Sequence, residues 1–156
     1  MSDEQPGRLA IRLAEAKARD ALRIHFGQVI LGADTVVACG RRPLGKPPDS
    51  DTARAFLSLL SGRRHTVYGG VCALDQSGKP HHRLVSTVVS FKRLSGHELE
   101  AYVMSGEWVD KAGGYAIQGR AATFVRRING SYSNVVGLPL YETASLLANL
   151  GVWAET

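Results

Sequence analysis

Cysteine is scarce in this sequence: 156 residues hold only Cys39 and Cys72. They lie far apart and form no C-x-x-C pair, which argues against a disulfide framework or a zinc site and fits a reducing cytosol. No apolar run is long enough to span a bilayer. The opening MSDEQPGRLA is polar and acidic and lacks an apolar h-region, so no secretory signal is expected. No internal repeat or low-complexity tract is present. G-x-x-x-x-G-K-S/T is absent, which excludes a Walker A loop. GSYSN is not G-x-S-x-G, so a nucleophile elbow is not supported. His65, His81, His82 and His97 show no paired metal spacing and read as lone or surface histidines.

The composition that remains is that of an ordinary soluble globule, 44% hydrophobic and 21% charged. One domain over residues 1–156 is expected. The formal net charge is +5, which suits an anionic partner. The basic groups, Arg41-Arg42, Arg63-Arg64, Arg126-Arg127 and His81-His82-Arg83, are scattered and lack interleaved aromatics. They make no nucleic-acid stacking platform and read as solvated loop and edge charges.

Residues 8–26 predict a helix whose apolar face includes Leu9, Leu13, Ala14, Ala21 and Leu22. Residues 28–38 predict a buried strand, followed by the loop CGRRPLGKPPD. A helix over about 51–61 is expected with Ser50 as its cap and Gly62 as its stop. Two strands near 65–74 and 83–93 flank the turn DQSGKP. Ser95 and Glu98 form a capping box that opens a helix to about Met104. A glycine-rich stretch follows, then a strand near 121–129, the turn NGSYSN and a helix from Pro139 to about Leu150. Strands and helices alternate irregularly, so an α/β fold with a mixed sheet is expected.

Four features stand out as chemistry. Asp34 interrupts the apolar strand VILGADTVV, and an ionised carboxylate there must be paired, hydrogen-bonded or metal-bound. A central strand is expected, with Asp34 near its C-terminal end; the alternative is a carboxylate that caps the next turn. Lys17 projects from the apolar face of the first helix, either snorkelling outward or aimed at an anion. Lys46 sits in the rigid Gly45-Lys46-Pro47-Pro48 loop, as a point-charge phosphate binder would. In DKAGGYAIQG, Asp110 and Lys111 precede two glycines, and Gln118 offers an amide that both donates and accepts. Plain turn chemistry is the alternative for that segment.

GADTVV, LGKP, LSGRRHTVYGGV and DKAGGYAIQG, followed by INGSYSNVVGLPLYET, together resemble the Maf-like nucleotide pyrophosphatases over essentially the whole chain. The resemblance implies an inosine-triphosphate-pyrophosphatase-like α/β fold, with a mixed twisted sheet in two lobes around a nucleotide cleft, and allows a homodimer. It implies hydrolysis of a nucleoside triphosphate to the monophosphate and pyrophosphate with a divalent metal cation, Mg²⁺ or Mn²⁺. Asp34 falls on the family's catalytic acid. Glu4 falls on an acidic position ahead of the first long helix, expected to share a metal or water with Asp34. Lys17 and Lys46 match phosphate-contacting lysines, and Lys111 is a further expected substrate contact. Thr35 and Gln118 match positions tied to base selectivity. The AIQG form resembles the branch acting on dTTP and UTP, not the one acting on 7-methyl-GTP. A cytoplasmic setting with no nucleic-acid or membrane partner is expected. The family's Ser-x-Ser-Pro-Arg-Arg strand and loop has no counterpart near Met1. Two other readings therefore stand beside the enzyme: a catalytically impaired nucleotide-binding or interaction protein of the same fold, and a basic nucleic-acid-binding module.

Overall fold

The computed structural model describes residues 3–153. Its elements run α1 (Pro6–Leu22), β1 (Ile30–Cys39), β2 (Arg42–Leu44), α2 (Ser50–Leu60), β3 (Arg64–Leu74), β4 (Pro80–Phe91) and α3 (Gly96–Ser105). Two 3₁₀ turns, Ala112–Gly114 and Arg120–Phe124, lead to β5 (Val125–Asn129), α4 (Tyr132–Val136) and α5 (Leu140–Asn149). The strands form one sheet in the order β2-β1-β3-β4-β5.

The α/β expectation holds. The strand orientation differs from it: every pairing among the described residues is antiparallel, where a mixed sheet was expected. β3 and β4 are joined by the short Asp75 turn, so no crossover is needed there. In that turn the Asp75 carboxylate accepts from the backbone N–H of Ser77 at 2.9 Å and of Lys79 at 3.0 Å. β1 is not a fully paired central strand. β2 covers only Val37–Cys39, and residues 30–36 pair on the β3 side alone among the described residues.

Helix α1 begins two residues before the predicted start, with Pro6 in its first turn, and ends at Leu22. Its fully buried stripe is Pro6, Gly7, Ala10, Ala14 and Ala18; of the apolar face read from the sequence, Ala14 lies in this stripe and Ala21 and Leu22 pack beside it, partly buried. Small residues at i, i+4 and i+8 let the helix lie directly on the sheet. The sheet answers with glycine. A Cβ on Gly32 would fall 2.3 Å from the Ala14 carbonyl oxygen, and one on Gly70 would fall 2.4 Å from that of Ala10.

The opposite face of the sheet carries the larger core. Val37, Val67, Val89 and Phe91 pack there against Leu57 and Leu60 of α2, Tyr102 of α3, and Tyr115, Ile117 and Phe124 from the glycine-rich segment. Val71 and Ala73 of β3 extend this face toward Leu146 of α5. The capping box at α3 forms as expected, with Glu98 N–H donating to the Ser95 hydroxyl at 3.1 Å and Ser95 N–H to the Glu98 carboxylate at 3.0 Å.

Three local expectations are corrected. Asp49, not Ser50, caps α2, accepting from Thr52 N–H at 2.7 Å; a carboxylate gains there from the positive end of the helix. NGSYSN is not a bare turn, since Ser131 caps the short α4 by accepting from Asn134 N–H at 3.1 Å. Pro139 is the cap of α5, not its first helical residue. No helix among the described residues is long and apolar enough to cross a membrane.

Gly32→Ala and Gly70→Ala force a methyl group into the α1 backbone, and each is expected to cost about 1–3 kcal/mol, the usual scale of overpacking. Urea unfolding of the two variants against the parent chain measures this. Gly45→Ala, with nothing within 4 Å of the added methyl, should be close to neutral.

Candidate active site

Asp34 lies in the middle of β1, not at its end, directly opposite Gly70 of β3. Side chains alternate along a strand, so Asp34 shares the α1 face with Gly32. Lys17 stands one residue before the buried Ala18 on α1. Its ammonium donates to the Asp34 carboxylate and, at 3.3 Å, to the Ala33 carbonyl. The pair is asymmetric in exposure, with side chains 59% exposed for Lys17 and 16% for Asp34. The carboxylate flagged in the sequence thus finds a cation, and the helical lysine is aimed at the sheet, not snorkelling away from it.

A cavity of about 320 Å³ opens here, lined by Lys17, Asp34, Thr35, Lys46, Lys111 and Gln118 among others. Asp34 and Thr35 point to opposite faces of β1 yet line one cleft. The cleft therefore runs past the edge of β1 that β2 leaves unpaired. Seven of the eight residues singled out in the sequence, Asp110 among them, meet in this space. Glu4 does not join them. It lines a separate cavity with Asp3 and Arg41, and Arg12 grips its carboxylate through Nε at 3.0 Å and Nη2 at 2.9 Å. That guanidinium holds the Glu4 carboxyl below the usual carboxylate range.

Asp110 supplies a second carboxylate to the cleft. Its φ is 59°, and it is the one non-glycine among the described residues in the left-handed region. Such a backbone costs of order 1–3 kcal/mol and persists only where its surroundings enforce it. Gly113 and Gly114, three and four residues on, also have positive φ. Gly113, at φ 73°, donates from its N–H to the Gly45 carbonyl at 3.1 Å, which ties the Lys111 loop to the Lys46 loop. A Cβ on Gly113 would fall 2.8 Å from Val37 Cγ1, so the loop can rest on β1 only as glycine.

Below the loop, Tyr115 drops into the core, where its hydroxyl and His65 Nε2 share a 2.5 Å hydrogen bond. Phe91 completes the aromatic cluster, edge-on to both rings. Burial pushes the His65 pKa down to about 4 and the Tyr115 phenol up. The far wall is made by Val135, Val136 and Gly137, from α4 and its end. The wholly buried Asn134 fixes that wall, its amide donating to the Val67 carbonyl at 3.1 Å, the Val85 carbonyl at 3.2 Å and Thr87 Oγ1 at 3.1 Å. Sequence reasoning missed this wall, and it singled out Asp110 without giving it a role. The NVVG run gave no chemical signal, and aspartate, though tolerated at positive φ, is as common in ordinary turns.

Chemically, the cleft combines three ammonium groups, two carboxylates, one hydroxyl and one amide. That donor set fits a polyanion with a hydrogen-bonding head group.

Residues 1–150 match the family model described as Maf-like protein. The chain is 58% identical over 151 residues to a dTTP/UTP pyrophosphatase of Paramagnetospirillum magneticum, an alignment that covers 97% of this chain and 80% of that protein. It is 52% identical over 152 residues to one of Sphingopyxis alaskensis, with 97% and 80% covered. It is 56% identical over 151 residues to one of Chelativorans sp., with 93% and 72% covered.

The floor of the cleft carries a pH dependence. His65 is neutral in the folded chain down to about pH 4, whereas in the unfolded chain it takes a proton near 6.5. Between these values the unfolded state binds more protons, so stability is full above about pH 6.5 and falls as pH drops toward 4. The contribution amounts to at most about 3 kcal/mol. His65→Phe keeps a ring in the cluster and should flatten this limb of the stability profile, read as the urea midpoint at steps between pH 4 and 7.

Proposed function

The chain belongs to the Maf-like protein family, and we propose that it hydrolyses nucleoside triphosphates, dTTP and UTP foremost, to the nucleoside monophosphate and pyrophosphate. The observation that carries this reading is the meeting of Asp34 with Lys17, Lys46 and Lys111 in one cleft. A triphosphate needs several cations and a base near its α-phosphorus, and little other chemistry.

Asp34 accepts a proton from the attacking water as its oxygen bonds to the α-phosphorus. The bond from that phosphorus to the bridging oxygen breaks, and pyrophosphate leaves with the electron pair. Lys17 holds the Asp34 carboxylate until substrate arrives and then turns its ammonium to the phosphate oxygens. Lys46 and Lys111 offset charge on the leaving pyrophosphate, so most of the catalysis is positioning and electrostatics. Thr35 and Gln118 read the pyrimidine edge, Gln118 with an amide able both to donate and to accept.

The donor set also suits a hard divalent cation, Mg²⁺ or Mn²⁺, since Asp34 and Asp110 bring carboxylate oxygens to the same cleft and the substrate brings phosphate oxygens. When bound, such an ion neutralises phosphate charge and makes water more acidic. In this proposal Asp110 takes the ligand role expected for Glu4, whose carboxylate is engaged by Arg12. A homodimer and a cytoplasmic setting belong to the same proposal.

Asp34→Asn should keep the fold, by circular dichroism and urea midpoint, and lose about 10²–10⁴-fold in pyrophosphate release from dTTP with Mg²⁺ or Mn²⁺, the range a general base supplies. Release near the parental rate would refute the assignment. Gln118→Ala should narrow the kcat/KM ratio between dTTP and the purine triphosphates while leaving the Asp34 chemistry in place.

A further inference from the structure

A second cluster of reactive side chains lies on the α1 face, outside the cleft. Cys72 of β3 and His82 of β4 are direct cross-strand partners. Glu15 descends onto them from α1, and one ligand atom from each of the three lies within 4.8 Å of the others. None of the three lines the cavity around Asp34. The Glu15 carboxylate is already divided between two neighbours. One oxygen accepts from Arg19 Nε at 2.8 Å, and the other faces His82 Nε2 at 2.8 Å. Cys72 is wholly buried, while the Glu15 and His82 side chains are 27% and 34% exposed. The cluster thus has a sulfur at its base and an opening toward solvent.

We propose that Glu15, Cys72 and His82 form a binding site for a borderline-soft divalent metal ion, Zn²⁺ in the first instance. Thiolate sulfur, imidazole nitrogen and carboxylate oxygen are all zinc ligands, and three protein ligands with a fourth position open to water suit the ion's tetrahedral geometry. The thiol gives up its proton to solvent as sulfur bonds to the metal. His82 Nε2 would give up the N–H it donates to Glu15, the ring keeping its proton on Nδ1, and turn the freed lone pair to the ion. Arg19 keeps the other Glu15 oxygen, as an outer partner that orients a ligating carboxylate does. Thiolate and imidazole favour Zn²⁺ over Mg²⁺ or Mn²⁺, the ions suited to the carboxylate-lined cleft. One chain would therefore sort two metals by ligand chemistry. The bound ion would tie α1 to β3 and β4 two residues from Lys17.

Cobalt(II) is a direct probe, because thiolate ligation gives it a near-ultraviolet charge-transfer band. Titration of the full chain with Co²⁺, under a non-thiol reductant, should raise this band to one equivalent, and Zn²⁺ but not Mg²⁺ should abolish it. Cys39→Ser should retain the band and Cys72→Ala should remove it. His82→Gln, at a part-exposed position, should keep the metal-free urea midpoint and weaken Co²⁺ binding by roughly tenfold or more, a loss that even outer partners of a metal reach. Absence of the band in the parent chain, its survival in Cys72→Ala, or unchanged affinity in His82→Gln would overturn the proposal.

Discussion

Everything in the cleft depends on how closely α1 lies on the sheet. Ala10, Ala14 and Ala18 form its buried stripe, and Gly32 and Gly70 receive it without a side chain between. With larger residues at this seam the helix would stand off by a layer of methylenes. Lys17 could then no longer reach both the Asp34 carboxylate and the Ala33 carbonyl. The seam also sets a limit on sequence change. Most hydrophobic cores accept swaps of similar volume, but a contact between backbones has no volume to trade. The same approach brings Glu15 down on Cys72 and His82, so both clusters on this face follow from one packing choice.

The second wall is held by a different device. Gly113 rests on Val37 and bonds to the Gly45 carbonyl, while Tyr115 anchors the loop in the aromatic cluster with His65. A rigid base under a short loop lets Asp110 keep its positive φ. Strained backbone at a site whose neighbours over-determine it is a recurring feature of ligand-binding clefts. The two loops bearing Lys46 and Lys111 are hydrogen-bonded to each other. Their ammonium groups are therefore presented as a pair, at less entropic cost than two independent surface lysines would carry.

The chemistry was more legible in the sequence than the geometry. Asp34 showed itself as a carboxylate in an apolar strand, and Lys17 as a cation on an apolar helical face, because burying charge is costly and therefore conspicuous. The elements α3 and its capping box, and the β3–β4 pair, were readable from local signals of known mechanism. Strand direction was not, since antiparallel pairing of β1 with β3 is settled by tertiary packing across an intervening helix. The apolar face assigned to α1 held for Ala14, Ala21 and Leu22 but missed Ala10 and Ala18, for a related reason. Periodicity finds apolar residues, but the glycines on the sheet decided that the alanines go inward. The Glu15, Cys72 and His82 cluster was invisible because its members come from three elements. Spacing rules detect metal ligands only when two of them share a loop or a helix turn.

Asp34 and Lys17 raise a last point about charge. Each is the other's neutralising partner, and the contact is open to solvent on the lysine side. An ion pair so exposed contributes little to stability, of order 1 kcal/mol or less. The pair is therefore cheap to rearrange. In the proposed reaction an arriving triphosphate offers Lys17 a denser anion, and a divalent cation offers Asp34 a denser cation. Exchange of partners leaves no buried charge uncompensated at any stage. A deeply buried pair could not do this, because separating it would expose each ion to a low dielectric without a counter-charge. The placement of Asp34 midway along β1, under a helix yet beside an unpaired strand edge, meets both requirements. It is enclosed enough to be oriented and open enough to change partners.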